Sequence, residues 1–219
     1  MVVNTKEVNI VEATRDHAKF LAWVALTASR SHMPRSMWDM LVGGTEDECL
    51  RFLEALALTD QPHWSHYSMF IIAEIDGRPV SALGGYTEAE MGTPFLMQAI
   101  PEASRAVGRT EADNVAGWQR AGSIALVAPE HVEGAWIVEN VATLPEFRRQ
   151  GLVDRLLVEI LDRGRKRGAT IADVSVFIGN DGAQRAYEKA GFEVIAEKLH
   201  ADFEAVYQCP GVRTLRRDL

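Results

Sequence analysis

The sequence predicts an α/β fold with a mixed sheet flanked by helices, and three observations support this. Two strand patterns enclose the turn Asp76-Gly77, which is typical of an antiparallel hairpin. Strand and helix patterns alternate in the second half of the chain, which indicates a parallel strand pair. Helical patterns in the first half carry apolar stripes, and such stripes are most simply buried in a core.

Length and composition favour a single domain spanning residues 1–219. With 47% hydrophobic and 25% charged residues, the chain can bury a core without disulfides or metals. Its two cysteines, Cys49 and Cys209, form no C-x-x-C pair and fit a reducing cytoplasm. The formal net charge of −8 argues against general nucleic-acid binding. No apolar run reaches the length of a membrane span, and the first residues lack the apolar core of a signal peptide.

The first half of the sequence predicts a strand, three helices and the hairpin. The strand is short and contains Val8, Ile10 and Val11. The helices are expected around residues 20–26, 37–41 and 50–58, and the third opens with a capping box from Thr45 to Glu48. The hairpin strands are expected at residues 67–75 and 80–86.

The second half begins with a stretch that interrupts the strand pattern, residues 88–122. Two helices are expected within it, at 95–107 and 111–121, and we interpret the stretch as a helical insertion that serves as a lid or as the contact of a homodimer. The order expected beyond it is a strand at 136–144, a helix at 152–167, a strand at 171–178 and a helix at 181–190. Two late strands, at 192–199 and 205–209, complete the sheet.

A glycine turn, residues 148–153, stands where a strand passes into a helix. The first N–H groups of a helix have no partner within it, and together with the helix dipole they can bind an anion. Gly151 allows a phosphate to approach the backbone closely, and Arg148 and Arg149 are candidates to contact it. A glycine before a helix is also common in turns that bind nothing, so the turn alone leaves both interpretations open.

Three polar side chains accompany this turn. Glu139 stands in an apolar strand, with Ile137 and Val141 on its own face, so burial would raise its pKa and suit it to act as a general base. The alternative is a position at a sheet edge that faces solvent. Asn180 and Tyr187 lie about two helical turns apart and share a helix face. Asn180 also suits a helix N-cap and Tyr187 a core position.

The strand VENVAT, Pro145, the turn and the later pattern N-x-x-A-x-x-x-Y-x-x-x-G-F resemble the GNAT acetyltransferase superfamily over roughly residues 139–193. The resemblance implies a mostly antiparallel central sheet with a splayed parallel strand pair, flanked by helices. In that family the turn has the form Arg/Gln-x-x-Gly-x-Gly/Ala. Arg148 and Gly151 match it, whereas Val153 departs from the small last residue.

The resemblance also implies an activity, the transfer of an acetyl group from acetyl-coenzyme A (acetyl-CoA) to a primary amine of a small molecule or peptide, by direct attack in a ternary complex. Glu139 is then the catalytic base, and Tyr187 is the acid that protonates the thiolate of coenzyme A. The residues expected at the cofactor are Val141, Ala142, Thr143, Arg148, Arg149, Gln150, Gly151, Leu152, Val153, Asn180 and Tyr187. No metal is expected, because His63 and His66 lack a third ligand at a convincing spacing.

Two other functions fit parts of the pattern. A catalytically silent module that binds acyl-CoA and regulates a partner would keep the turn without needing Glu139 or Tyr187. A nucleotide-binding protein could use the same helix N-terminus, although the turn lacks the Lys-Ser/Thr pair and the three-glycine pattern of such sites. The acidic residues of the 88–122 stretch favour a cationic acceptor. They are Glu88, Glu90, Glu102, Glu111 and Asp113.

Overall fold

The computed structural model describes residues 7–219, which fold around a seven-stranded sheet. The strands are β1 Val8–Glu12, β2 Phe70–Ile75, β3 Arg78–Thr87, β4 Trp136–Thr143, β5 Ile171–Phe177, β6 Glu193–Leu199 and β7 Gly211–Asp218. Their order across the sheet is β1-β2-β3-β4-β5-β7-β6. Neighbouring strands are antiparallel except β4 and β5, which are parallel. The predicted mixed, mostly antiparallel sheet with one parallel pair is therefore confirmed.

Helices cover both faces of this sheet. They are α1 Ala18–Arg30, α2 Met37–Val42, α3 Glu46–Ala57, α4 Glu88–Met91, α5 Thr93–Ala106, α6 Glu111–Ala121, α7 Leu152–Lys166, α8 Asp181–Lys189 and α9 Ala201–Tyr207. On α7, Leu152, Leu156 and Ile160 recur every four residues and are buried against one face. The helices α1, α3 and α5 pack over the opposite face. Within residues 7–219, no helix is both long and apolar enough to cross a bilayer.

Trp136 fills the space at the start of the parallel strand pair. Its ring is fully buried, and a Cβ added at either Gly85 or Gly164 would lie 2.6 Å from an indole atom. The Arg167 guanidinium lies 5.8 Å from the centroid of the same ring. The first residues of β4 are therefore wedged between β3 and α7, and only glycine fits at the two contact points.

The helices of the 88–122 stretch pack into the same core as α1–α3. Ile100 and Ala121 are buried in that cluster. Arg109 and Arg120 donate hydrogen bonds to the backbone carbonyls of residues 40–42, which end α2. These contacts attach α5 and α6 to the N-terminal helices. The single-domain organisation of 1–219 and the role of this stretch stay predictions.

The prediction of a strand at residues 205–209 is wrong. That segment lies in α9 and in the turn after it, and the last strand is β7. Phe203 and Tyr207 stand one helical turn apart, both are buried, and their ring centroids are 4.8 Å apart. Packing of this aromatic pair outweighs the strand preference of single residues. The strand β2 also begins at Phe70, because Tyr67–Met69 form a 3-10 turn.

Candidate active site

The parallel strands β4 and β5 pair over a short stretch and then separate. The register runs from Trp136 opposite Ala172 to Val138 opposite Val174. Each strand continues beyond that point, and no further pair between them is formed in the part of the chain that the structure describes. The strand edge of residues 141–143 therefore borders a split in the sheet, where a ligand with amide groups can pair with it.

A β-bulge in β4 determines which side chains face this split. Asn140 has a φ of 55°, and the register with β3 shifts between the pairs Gly84–Glu139 and Ala82–Ala142. After the bulge, Val141 packs with the core under α7 and Ala142 with the opposite core. The expectation that Val141 shares a face with Glu139 is wrong, because the extra residue reverses the alternation.

Glu139 lies where the split begins and is half-buried. Tyr86 of β3 donates a hydrogen bond of 2.8 Å to Glu139 Oε2. Burial raises the pKa of Glu139, the Tyr86 hydrogen bond and the charge of His131 oppose this, and the like charge of Glu88 adds to it. The net result is a raised pKa. The alternative of an edge position is wrong, because β4 is the central strand of the sheet.

Tyr187 reaches the same region from α8. Its side chain is buried against Phe192, with ring centroids 6.2 Å apart. Its hydroxyl has no hydrogen-bond partner among residues 7–219. Burial, followed by the negative charge of Glu139, raises the pKa of Tyr187. The phenol is therefore protonated at neutral pH, and the two predicted catalytic residues are close enough to influence each other electrostatically.

The turn before α7 presents backbone donors that the protein does not use. Across residues 149–154, no backbone N–H donates to an acceptor in the described part of the chain. The first bond at the start of α7 runs from Arg155 N to the Gly151 carbonyl at 3.2 Å. Gly151 has a φ of 75° and Arg149 a φ of 60°, with Gln150 between them. Successive residues of this kind turn their N–H groups to one side and form an anion-binding concavity.

Side chains at the turn hold its shape. Arg148 Nε donates to the Thr143 carbonyl at 3.2 Å and so ties the turn to the end of β4. Leu152 is buried, and Val153 packs against the same core. The larger side chain at position 153 is accommodated in that core. Arg149 is exposed and forms no ion pair with the residues described here.

Asn180 caps α8 and connects it to the end of α1. Its Oδ1 accepts a hydrogen bond from the backbone of Ala183 at 3.2 Å, and its Nδ2 donates to Ser31 Oγ at 2.7 Å. Gly179 before it has a φ of 107°, and a Cβ there would lie 2.8 Å from His32 Nε2. Asn180 therefore acts as an N-cap, and its contact with a cofactor stays a prediction.

Ser175, which the sequence analysis did not select, lies just past the last pair of β4 and β5. Its hydroxyl is buried and has no hydrogen-bond partner among the described residues. Such a group costs about 1–3 kcal/mol when it is left unsatisfied. The unpaired edge of residues 141–143, this hydroxyl and the N–H groups of the turn together fit an elongated ligand with amide groups and a phosphate end, as in acetyl-CoA.

A buried group around Asp173, on the strand next to that of Glu139, was also not predicted from the sequence. Asp173 on β5 is fully buried and accepts hydrogen bonds from Arg216 at 2.7 and 2.9 Å and from His131 Nδ1 at 3.0 Å. Burial acts to raise the pKa of Asp173, but Arg216 and His131 outweigh it and hold that pKa below its usual range. A carboxylate inside the apolar strand IADVSVF was the available signal, whereas His131 lies in a loop without a motif.

The two histidines considered as metal ligands have structural contacts instead. Burial lowers the pKa of both His63 and His66 to about 4. His63 Nε2 lies 3.1 Å from the Leu56 carbonyl, and His66 Nδ1 lies 2.8 Å from Ser68 Oγ. Among the residues that the structure describes, no three or more His, Cys, Asp or Glu side chains are grouped to hold a metal ion.

Comparison with known proteins assigns the chain to a family. The model of the acetyltransferase (GNAT) family matches residues 38–192. This chain belongs to that family. The GNAT membership confirms the predicted resemblance and an enzyme of the N-acetyltransferase class, whose family uses acetyl-CoA. No curated protein matched the chain.

Solved structures share the GNAT fold over nearly the whole chain. An acetyltransferase is 15% identical with a TM-score of 0.70, covering 96% of this chain and 98% of its own. An N-acetyltransferase from Staphylococcus aureus Mu50 is 16% identical with a TM-score of 0.63, covering 95% and 100%. The Salmonella typhimurium protein yncA, solved with its cofactor acetyl-CoA, is 13% identical with a TM-score of 0.53, covering 97% and 94%. At these identities the likeness establishes the fold.

Proposed function

We propose that this GNAT protein transfers an acetyl group from acetyl-CoA to a primary amine of a small molecule or peptide. The observation that carries the proposal is the end of strand pairing at Val138 and Val174, which opens the split directly beside Glu139. Acetyl-CoA supplies an activated thioester. The amine attacks it directly in a ternary complex, and no side chain carries the acetyl group.

The chemistry of the cysteines supports direct transfer. Burial raises the pKa of the Cys49 thiol to about 12, and Cys209 is fully buried with its pKa also raised by burial. Neither thiol is therefore a reactive thiolate at neutral pH. Both are free cysteines, which also supports a reducing cytoplasm as the proposed location.

Three features support the proposed mode of cofactor binding. The free N–H groups of residues 149–154 would bind the diphosphate, with the α7 dipole adding to the attraction. The edge of residues 141–143 would pair with the amides of the pantetheine arm. The Ser175 hydroxyl would find its missing partner in the same arm.

Proton transfer is proposed for Glu139 and Tyr187. An alkylammonium acceptor must lose a proton before its nitrogen can attack, and the raised pKa of Glu139 brings this carboxylate closer to the working pH of a general base. Tyr187 is protonated and unpartnered, so its hydroxyl is available to donate to the departing sulfur. The protonation states of the two residues therefore support opposite roles, Glu139 as the base and Tyr187 as the acid.

The acceptor proposed is a cationic amine. Glu139 places a carboxylate at the split, and the like charge of Glu88 acts on it. The acidic residues of the 88–122 stretch support this less, because several have structural partners, among them Glu88, which accepts a hydrogen bond from the Thr93 backbone at 3.1 Å. Glu90 pairs with Arg167 at 3.2 Å, and Asp113 accepts from Thr110 at the start of α6. A diamine or polyamine therefore fits better than a neutral acceptor.

The test measures thiol release from acetyl-CoA across a panel of diamines, polyamines, aminoglycosides and short peptides, with calorimetry of acetyl-CoA binding in parallel. Release that depends on an amine, with the acetylated product identified by mass spectrometry, supports the proposal. Tight binding of acetyl-CoA with no release across the panel would instead identify a silent acyl-CoA-binding module. Absence of binding would refute both.

A further inference from the structure

The proposed reaction has a proton balance that Glu139 and Tyr187 do not complete. The acceptor enters as R–NH3+ and leaves as an amide, R–NH–CO–CH3, so two protons depart from its nitrogen. One ends on sulfur as the thiol of coenzyme A, and the other must reach water. Glu139 is half-buried and bonded to Tyr86, so a proton that it receives needs a route out.

We propose that His131, oriented by Asp173, is this route. Its Nε2 accepts the proton that Glu139 takes from the acceptor ammonium and then releases it to solvent. Glu139 returns to its carboxylate form and His131 to its neutral form, so both are restored after each turnover. The inference rests on the amine acetylation proposed above.

The contact with Asp173 fixes the orientation of the His131 ring. Asp173 is ionised and can only accept hydrogen bonds, so the hydrogen between it and His131 must sit on Nδ1. In the neutral ring Nε2 then carries a lone pair. No described residue hydrogen-bonds to Nε2, and the His131 side chain is 11% exposed whereas Asp173 has no exposure. The free nitrogen is thus the part of the pair that can exchange protons.

Asp173 has a second partner besides His131. Arg216 Nε and a second guanidinium nitrogen both bind Asp173, so that carboxylate already has a counter-charge. A neutral imidazole is what a proton acceptor requires. Asp173 is therefore a positioning residue, which holds the His131 ring through the hydrogen bond to Nδ1.

The register of β4 and β5 places the pair of Asp173 and His131 beside the split. Asp173 stands opposite Ile137, and Glu139 follows Ile137 by two residues on the same face of β4, so the carboxylates of Glu139 and Asp173 lie on one side of the sheet. The other charged groups near the ring are Asp173 on β5, Arg216 on β7 and, next to it in the loop, Glu130, which pairs with Lys198 of β6 at 2.7 Å. Glu139 is the member of this set that the proposed acceptor would contact.

The experiment compares His131→Gln with the parent over a range of pH. Glutamine keeps an N–H donor for Asp173 but cannot take up a proton. We expect turnover to fall about 10²-fold near neutral pH, with acetyl-CoA affinity within twofold of the parent. The deficit should shrink at higher pH, because hydroxide can replace the missing acceptor. His131→Ala should regain turnover when imidazole is added, which a purely structural loss would not allow.

His17→Gln is the matched control, since His17 Nε2 also faces a carboxylate, Glu74, at 3.4 Å but on β2, away from the split. It should leave turnover unchanged. Turnover of His131→Gln within twofold of the parent, or a deficit of equal size at every pH, would overturn the inference while leaving the acetylation intact. A parent that acetylates no amine would instead refute the proposed function, and this inference with it.

Discussion

Replacing Gly151 by alanine separates the role of the turn in anion binding from its role in folding. Gly151 has a φ of 75°, and the atom nearest to an added Cβ is Asp154 Oδ2 at 4.0 Å, so the methyl group has room. The cost to stability then comes from the left-handed backbone alone, about 1–2 kcal/mol. For a chain of this length each kcal/mol lowers Tm by roughly 2–4 °C.

The effect on the cofactor should be larger. Alanine favours a φ below zero, and a turn that relaxes in that direction rotates its N–H groups away from their common focus. Loss of one hydrogen bond to a charged phosphate costs about 1.5–3 kcal/mol. At about 1.4 kcal/mol per factor of ten, the Kd for acetyl-CoA should rise about 10–100-fold.

Gly168 provides the matched control, because it follows the other end of α7. Its φ is 89°, and no atom lies within 4 Å of an added Cβ. Gly168→Ala should lose a similar amount of stability and bind acetyl-CoA as the parent does. Calorimetry and thermal melts of the two variants test this. If both variants bind acetyl-CoA as tightly as the parent, the assignment of the phosphate site is refuted. If both lose the same affinity for acetyl-CoA, the effect is a global one on the fold.

Three further predictions concern side chains at the site. Tyr187→Phe should lower kcat about 10²-fold in a thiol-release assay with acetyl-CoA affinity retained, and unchanged turnover would contradict the acid role. Tyr86→Phe removes a hydrogen bond that lowers the pKa of Glu139, so the acidic limb of the kcat/KM profile should move to higher pH; an unmoved limb would mean that another group is the base. Asp173→Asn removes the charge that pairs with Arg216 and should lower the free energy of unfolding in urea by about 1.5–3 kcal/mol, since the Arg216 side chain is 24% exposed and keeps access to water. Because the pKa of Asp173 is lowered in the fold, its ionised form stabilises the parent above the unfolded pKa near 3.9, and this stabilisation is lost as the pH falls. The variant should therefore lose less stability on acidification than the parent, and equal losses would contradict the ion pair.

The sequence allowed most of the strands and helices and the glycine turn before α7 to be predicted, because both depend on local signals. Asp76-Gly77 specifies a hairpin, and Gly151 stands where the chain needs a left-handed residue. The 205–209 segment shows where local signals mislead. Residues 205–207 there lie inside α9, and burial of Phe203 and Tyr207 against residues distant in the sequence, such as Met33 and Val127, decides the conformation.

The interior of the site was less predictable, because its contacts join distant residues. Tyr86 on β3 donates a hydrogen bond to Glu139 on the neighbouring strand β4, and His131 in a loop donates one to Asp173 on β5. The bulge at Asn140 leaves no mark in composition, so strict alternation assigned Val141 to the wrong face. Carboxylates inside apolar strands were the most useful long-range signal. That signal selected Glu139 as a candidate, and it applies equally to Asp173.

The wedge formed by Trp136 has a kinetic consequence. The indole fills the gap beside Gly85 and Gly164 and fixes the strands where they still pair, so the split beyond them exists before any ligand arrives. Binding then requires no free energy to separate strands, and little conformational entropy is lost in the sheet. Association of acetyl-CoA should follow a single phase whose rate increases linearly with its concentration. A rate that saturates in stopped-flow measurements would show that the free protein must first open.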